Sequence, residues 1–381
     1  MVPLTVAKVG ANSAYRFVAP FIATIASGLH VSLTTVGSAI AFGELVGLTA
    51  PLLSRLTARF ARRNAICGGL FGIAASASLC ASSHSAVTFA VGLALMNMSK
   101  IVFDLGVISW VTDRVAYAQI GRVLGITELA WAGGLFIGVV LMGLLTGVTS
   151  WRWGYVLAIV AVIVLATFTR SKLPAEPERP RATRQQRLAR AKLGRGWWVI
   201  VGTMALTASA QALFVTFGKW LQSSFGFSDA GLAVVIFAFG GVELLGTAST
   251  VRFLDAWGKQ RSVMIGAAVA MPCGLILALL HNHVGPGLVV IGVFIGAFEF
   301  TIVSTLSLSS SLIPDHPSTG VSFNAAGGTL GRALMAPIAT AAYTHHGMWL
   351  PAVISSGAAT VTLLCQWQVR TERRRRSTLA P

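Results

Sequence analysis

Apolar residues in this chain gather into long runs separated by short polar breaks. Each run is roughly 18 to 25 residues, the length a helix needs to cross a hydrocarbon core of about 30 Å. The runs predict helices over 4–26, 34–54, 64–82, 86–112, 122–148 and 152–169, then over 197–221, 229–251, 261–281, 285–312, 320–344 and 347–367. A membrane barrel would instead alternate apolar and polar positions over about ten residues, a pattern absent here. Helices also satisfy their own backbone groups, as lipid requires. The expected fold class is therefore all-α integral membrane, with about twelve transmembrane helices.

The one long polar stretch, "RSKLPAEPERPRATRQQRLARAKLGR" from Arg170 to Arg195, divides these helices into six and six. The halves resemble each other. Ser32 before 34–54 and Ser228 before 229–251 both stand where an N-cap belongs. Glu44 follows Phe42-Gly43, Glu243 follows Phe239-Gly240, and each segment ends in a basic turn. The expected organisation is a bundle over 1–169, a basic linker over 170–196, a second bundle over 197–368 and a basic tail over 369–381, the bundles being pseudo-symmetric copies.

Composition sharpens the picture. Residues are 55% hydrophobic and only 11% charged, where soluble domains carry about 25% charged residues. The net charge of +17 lies in alternate loops: around Arg55–Arg63, at Arg114 and Arg122, in the linker, at Arg252–Arg261 and in the tail. Such asymmetry follows the positive-inside rule and places both termini and the linker in the cytoplasm of a multi-pass inner (plasma) membrane protein. Basic loops beside a bilayer favour anionic lipid headgroups, so the charge predicts lipid contact and not nucleic acid. Cys67, Cys80, Cys273 and Cys365 have no paired spacing and read as small apolar residues. The pairs His281/His283 and His345/His346 lack a convergent ligand set, so no metal or cofactor is expected. The first apolar run carries Lys8 and Arg16 and reads as an uncleaved helix rather than a signal peptide.

The loop "PLLSRLTARFARR" (51–63) is similar to the Gly-x-Leu-Ala-Asp-Arg-x-Gly-Arg-Arg signature of the major facilitator superfamily, with Arg55, Leu56, Arg59, Arg62 and Arg63 in register. Ser54, Ala58 and Ala61 depart from it. A second copy, "VRFLDAWGKQR" (251–261), brings Arg252 and keeps Asp255, Gly258 and Lys259; "GGLFIGVVLMG" (133–143) and "SWRWGYVL" (150–157) resemble the fifth and sixth helices of exporters. The chain thus resembles a small bacterial member of the drug- and metabolite-efflux branch. That resemblance implies gating loops at these residues, in which an aspartate is held at a helix start and favours the outward-open state. Ala58 cannot play that part, so the latch is expected to rest on Asp255, with a target near Arg122.

Charges at predicted mid-membrane depth are the candidate chemistry. A lone Asp, Lys or Arg at a helix centre costs about 2.5–3.5 kcal/mol, so Arg16, Glu44, Lys100, Asp104, Glu128, Glu243, Glu299 and Arg332 should face one another or water. Asn97, Lys100 and Asp104 share one helical stripe, as do Asn324, Gly328 and Arg332. Gly292 and Gly296 stand beside Glu299 to admit a neighbouring helix. Lys100 and Asp104 have two readings: a permanent neutralising pair, or a carboxylate whose proton is exchanged with Lys100 tuning it. The proton-coupling candidates are Asp104 and Glu128, then Glu44, Glu243 and Glu299. Arg16, Asn97, Lys100, Asn324 and Arg332 are candidates for substrate binding or charge pairing. Phe42, Trp110, Trp131, Phe136, Phe214, Phe217, Phe298 and Phe300 are aromatics able to line a cavity, whereas Trp151, Trp153, Trp197, Trp198 and Trp220 suit an interfacial belt.

No Walker loop, nucleophile elbow or His-Glu-x-x-His pattern is present, which argues against an enzyme and against direct use of ATP. The leading expectation is a monomeric secondary transporter exporting a small organic molecule in exchange for protons. The alternatives are uptake or facilitated diffusion of a sugar or organic anion, and a lipid flippase on the same scaffold.

Overall fold

A computed structural model describes residues 2–57, 60–114, 129–174, 196–309, 312 and 317–379, and every regular element among them is helical. In chain order these are α1 (Val2–Arg16), α2 (Ile22–Gly28), α3 (Leu33–Leu45), α4 (Ala50–Thr57), α5 (Arg62–Ala81) and α6 (Ala86–Arg114). Then come α7 (Leu129–Val148), α8 (Trp151–Lys172), α9 (Trp197–Phe214), α10 (Phe217–Phe225) and α11 (Asp229–Trp257). The remainder are α12 (Lys259–Leu280), α13 (Val284–Ser309), α14 (Pro317–His346) and α15 (Trp349–Leu379). Nine helices among the described residues are long and apolar enough to cross a bilayer, with α9 and α10 taken together as one of them.

Where the predicted spans differ from the helices, particular residues explain it. The span over 4–26 breaks between Arg16 and Ile22 because Pro20 cannot donate to the carbonyl four residues back and crowds it. The span over 34–54 tightens into a 3₁₀ turn at Val46–Thr49, just before Pro51, which likewise withholds an amide. Between α9 and α10, the Thr216 hydroxyl donates back to the Ala212 carbonyl at 2.7 Å, a bond that bends helices. Both anticipated caps form: Ser32 Oγ accepts from the Thr35 amide and Ser228 Oγ from the Gly231 amide, each at 3.1 Å.

The chain separates into two compact units, one of Met1–Arg187 with Leu221–Gly241 and one of Leu188–Trp220 with Val242–Pro381. In the first, α5 packs along α6 and α8, while α1 packs on α7 and α8. The α5–α6 seam is so close that a Cβ at Gly69 would lie 2.6 Å from the Phe103 backbone nitrogen. In the second unit α9 is central, with α13, α14 and α15 around it, and α12 packs on α13 and α15. A Cβ at Gly331 of α14 would stand 2.0 Å from the Met204 carbonyl oxygen, so only glycine fits that crossing. At Glu299 the expected small-residue approach is made at Gly296 and not at Gly292. Gly292 meets nothing, and Gly246 of α11 brings its backbone onto Gly296 and the Glu299 Cβ.

Large apolar side chains such as Leu279, Val148 and Leu245 point outward, at 80%, 78% and 72% exposure, while Asn12, Glu243, Ser209 and Gln366 are enclosed. An apolar exterior around polar interior groups is the arrangement lipid favours over water. Trp151 and Trp220 do not join an interfacial belt: both are buried, Trp151 edge-on to Phe89 and Tyr155, and Trp220 with its indole N–H donating to the His281 carbonyl at 2.9 Å. The four cysteines are free thiols, all buried.

Candidate functional site

Within the first unit, α1, α3, α6 and α7 bring polar side chains together. Helix α1 presents Lys8, Asn12, Tyr15 and Arg16 on one stripe, at spacings of four, three and one residues. Three of its side chains bond to carbonyls of α7: Asn12 Nδ2 donates to Ala130 at 3.0 Å, Arg16 Nη1 to Trp131 at 3.0 Å and Ser13 Oγ to Gly134 at 3.2 Å. Immediately after them, Gly134–Val139 forms a wider, π-type turn, a feature often found at functional sites.

Trp131, placed by that arrangement, is the hub. The Arg16 guanidinium lies 4.6 Å from its ring centroid and the Lys100 ammonium 5.5 Å from it. Lys100 also lies 5.6 Å from the Tyr15 ring, whose centroid is 6.3 Å from that of Trp131. The Tyr15 hydroxyl donates to Glu44 of α3. Asn97, one turn before Lys100 on α6, donates to the Gly43 carbonyl at 2.8 Å and so ties α6 to α3 beside Glu44.

Lys100 Nζ donates to Asp104 Oδ2 at 2.6 Å, and magnitudes decide what holds this cation. Two ring contacts supply about 0.5–1 kcal/mol each where exposed, less than the 2.5–3.5 kcal/mol, roughly, that a charge costs at the centre of a lipid-facing helix. The Asp104 carboxylate must offset the remainder. Its other oxygen, Oδ1, is buried and receives no hydrogen bond. The pair therefore leaves one carboxylate acceptor unused beside a cation that two aromatic rings face.

In the second unit the polar seam is between α9 and α14. Thr203 donates to Asn324 Oδ1 at 2.7 Å and Thr207 to the Gly328 carbonyl at 2.8 Å. Arg332 lies one turn on, its Nη2 3.4 Å from Thr329 Oγ1. Thus Asn324 and Gly328 of that stripe meet a neighbouring helix, and the Asn324 Nδ2 is left buried without a partner. Glu243 and Glu299 are both enclosed, at 1% and 3% exposure.

At the start of α5, Arg62 Nε donates to Asp113 Oδ2 of α6 at 3.1 Å, so one signature arginine binds within its own unit. Gly258, at φ +80°, turns the chain between α11 and α12, with Arg252 and Lys259 exposed on either side. Glu128, Arg59 and Arg122 lie outside the described residues, as do the side chains of Arg55 and Asp255. Of the aromatics, Phe136 stacks on Phe237 at 4.2 Å and Phe214 meets Phe298 edge-on at 5.7 Å; Trp131 alone among them touches the charged cluster in the described contacts. Tyr15, Asn12 and Asp113 were absent from the candidates. The four-residue period joining Lys8, Asn12 and Arg16 is the signal that would have found Asn12.

The model of the Major Facilitator Superfamily matches residues 4–281. Over 382 residues the chain is 25% identical to an uncharacterised MFS-type transporter, YwfA, of Bacillus subtilis (strain 168), covering 95% of this chain and 89% of that protein. Its fold is similar to the crystal structure of a bacterial homologue of the human lysosomal transporter Spinster, inward-facing and occupied, with TM-score 0.75, 13% identity, and coverage of 96% of this chain and 95% of that one. It is also similar to the human organic anion transporter MFSD10 (TETRAN), with TM-score 0.66, 16% identity, and coverage of 96% and 98%. The MFS transporter FucP in its outward conformation gives TM-score 0.66 and 16% identity, with coverage of 96% and 97%. The chain belongs to the Major Facilitator Superfamily: it is an all-helical, multi-pass membrane transporter with the fold of about twelve transmembrane helices.

Proposed function

We propose that this chain is a proton-coupled secondary transporter of the bacterial inner membrane that exports a small organic molecule by alternating access of two six-helix bundles. The observation that carries the reading is the Lys100–Asp104 pair, 2.6 Å apart, set against Trp131 and Tyr15. A carboxylate between burial and a cation can gain or lose a proton as its surroundings change. Asp104 is the coupling group of this reading, Glu44 on Tyr15 its nearest second, with Glu128, Glu243 and Glu299 as further candidates. The gating loops are those of Arg55–Arg63 and Arg252–Lys259, with the termini and basic linker against anionic headgroups on the cytoplasmic side, and the chain acts as a monomer.

The experiment pairs a thermal-stabilisation screen of the purified full chain with everted vesicles carrying a pH dye. A solute that stabilises the protein should release protons from energised vesicles, and Asp104→Asn or Glu128→Gln should stop that release. Accumulation with no proton movement would overturn the coupling. A second reading, uptake of an organic anion, draws support from Arg16 over Trp131 and from the fold shared with a human organic anion transporter.

A further inference from the structure

Resting on the transport reading of this same cluster, we infer that Lys100 is a built-in occupant of a site for protonated amines, and that a substrate ammonium enters by displacing it. Two aromatic faces converging on one cation, with a carboxylate alongside, is the chemistry that recognises organic ammonium groups. Here the cation is the chain's own: Lys100 Nζ is 5.5 Å from the Trp131 ring, 5.6 Å from the Tyr15 ring and 2.6 Å from Asp104 Oδ2. The box is nonetheless incomplete as a lysine site, because Asp104 Oδ1 is buried without a donor.

A buried carboxylate oxygen without a donor costs on the order of a hydrogen bond or more. An incoming R–NH3⁺ donates to Oδ1 and lays its carbon body on the indole. Lys100, one helical turn from Asp104 on α6 and flexible over four methylenes, is free to swing from the carboxylate as that happens. Once Lys100 has moved off, the ring faces and the Asp104 carboxylate present negative charge to an incoming group and favour an ammonium over an anion, although the Arg16 guanidinium stays 4.6 Å from the Trp131 ring centroid. The site is thereby specific for amines, and Lys100 sets how tightly they bind.

The test uses the full-length protein in detergent, with phenethylammonium as probe and phenylacetate and 2-phenylethanol as its anionic and neutral counterparts, read by quenching of tryptophan fluorescence. An internal competitor lowers apparent affinity by the fraction of molecules whose site is free, so Lys100→Met should bind phenethylammonium about tenfold more tightly than the unaltered chain. Lys100→Gln should show the same gain, which keeps the test open should the first variant not fold. Adding Asp104→Asn or Trp131→Leu to either variant should remove the gain, and phenylacetate and 2-phenylethanol should gain nothing. Phenylacetate binding to the unaltered chain and lost on Lys100→Met would overturn the inference in favour of an anion site. Unchanged amine affinity in both lysine variants, or no binding of any probe, would also overturn it. If amine affinity is unchanged while Asp104→Asn still halts proton-coupled movement of a screened solute, the amine site fails and the transporter reading stands. If Asp104→Asn leaves that movement intact, the coupling role given to Asp104 fails.

Discussion

The first helix of each half treats polarity differently. Helix α1 carries Lys8, Asn12, Tyr15 and Arg16 onto its unit's interior, and its partners are aromatic rings, carbonyls and a glutamate. Helix α9 carries Thr203 and Thr207 along its seam with α14, and their partners there are the Asn324 amide and a glycine carbonyl. One seam thus holds groups able to respond to charge, and the other holds neutral hydroxyls bonded to an amide and a carbonyl. Neutral hydrogen bonds contribute about 1 kcal/mol net and are indifferent to proton supply, whereas a carboxylate paired with a cation is sensitive to both.

The comparison can be broken in order of expected effect. Asp104→Asn should slow proton-coupled transport in proteoliposomes about 100-fold, the low end of what a positioned proton-transfer group contributes. Asn324→Leu, in the other unit, should slow it far less; equal losses would erase the distinction between the seams. Gly331→Ala should destabilise the second unit by about 2 kcal/mol, since the added methyl meets a backbone oxygen that cannot move aside. An unchanged melting curve in detergent would show that α14 is not clamped to α9. Thr203→Val, which strips the donor from Asn324 Oδ1, should cost about 1 kcal/mol in the same assay and leave the coupling ratio of protons to solute unaltered. Smallest is Arg62→Gln: its bond to Asp113 is partly solvated, and losing it should cost about 0.5 kcal/mol, below what a shift in melting midpoint readily resolves.

The fold was largely legible because lipid imposes a length and a composition on every crossing, and both are written in the order of residues. The breaks at Pro20 and before Pro51 were legible in principle, since each proline is visible, yet a hydropathy run smooths over them. Candidate charges such as Glu44 and Lys100 stood out against apolar neighbours. Asp104, one turn from Lys100, stood out with them, but their aromatic partners did not. Tyr15 and Trp131 look like any membrane aromatic until α1 and α7 are set side by side, and that pairing joins residues more than a hundred positions apart. Asp113 was passed over because it sits at a helix end, where a charge is cheap and draws no notice. Trp151 was misplaced for a related reason: position near a run's end is a good guide to depth but a poor one to which way a ring faces.

The π-type turn at Gly134–Val139 is geometrically one residue too many in an otherwise regular rod. Removing a residue from a membrane helix ordinarily swings everything beyond it by roughly 100°, presenting the wrong side chains to lipid. Here a single deletion between Gly134 and Val139 would let the ladder close into ordinary α-helix while the remainder of α7 keeps its facing. Trimming that residue is thus a way to shorten the chain without scrambling it, and a loss of function that followed would point to this turn and its contact with Ser13 of α1.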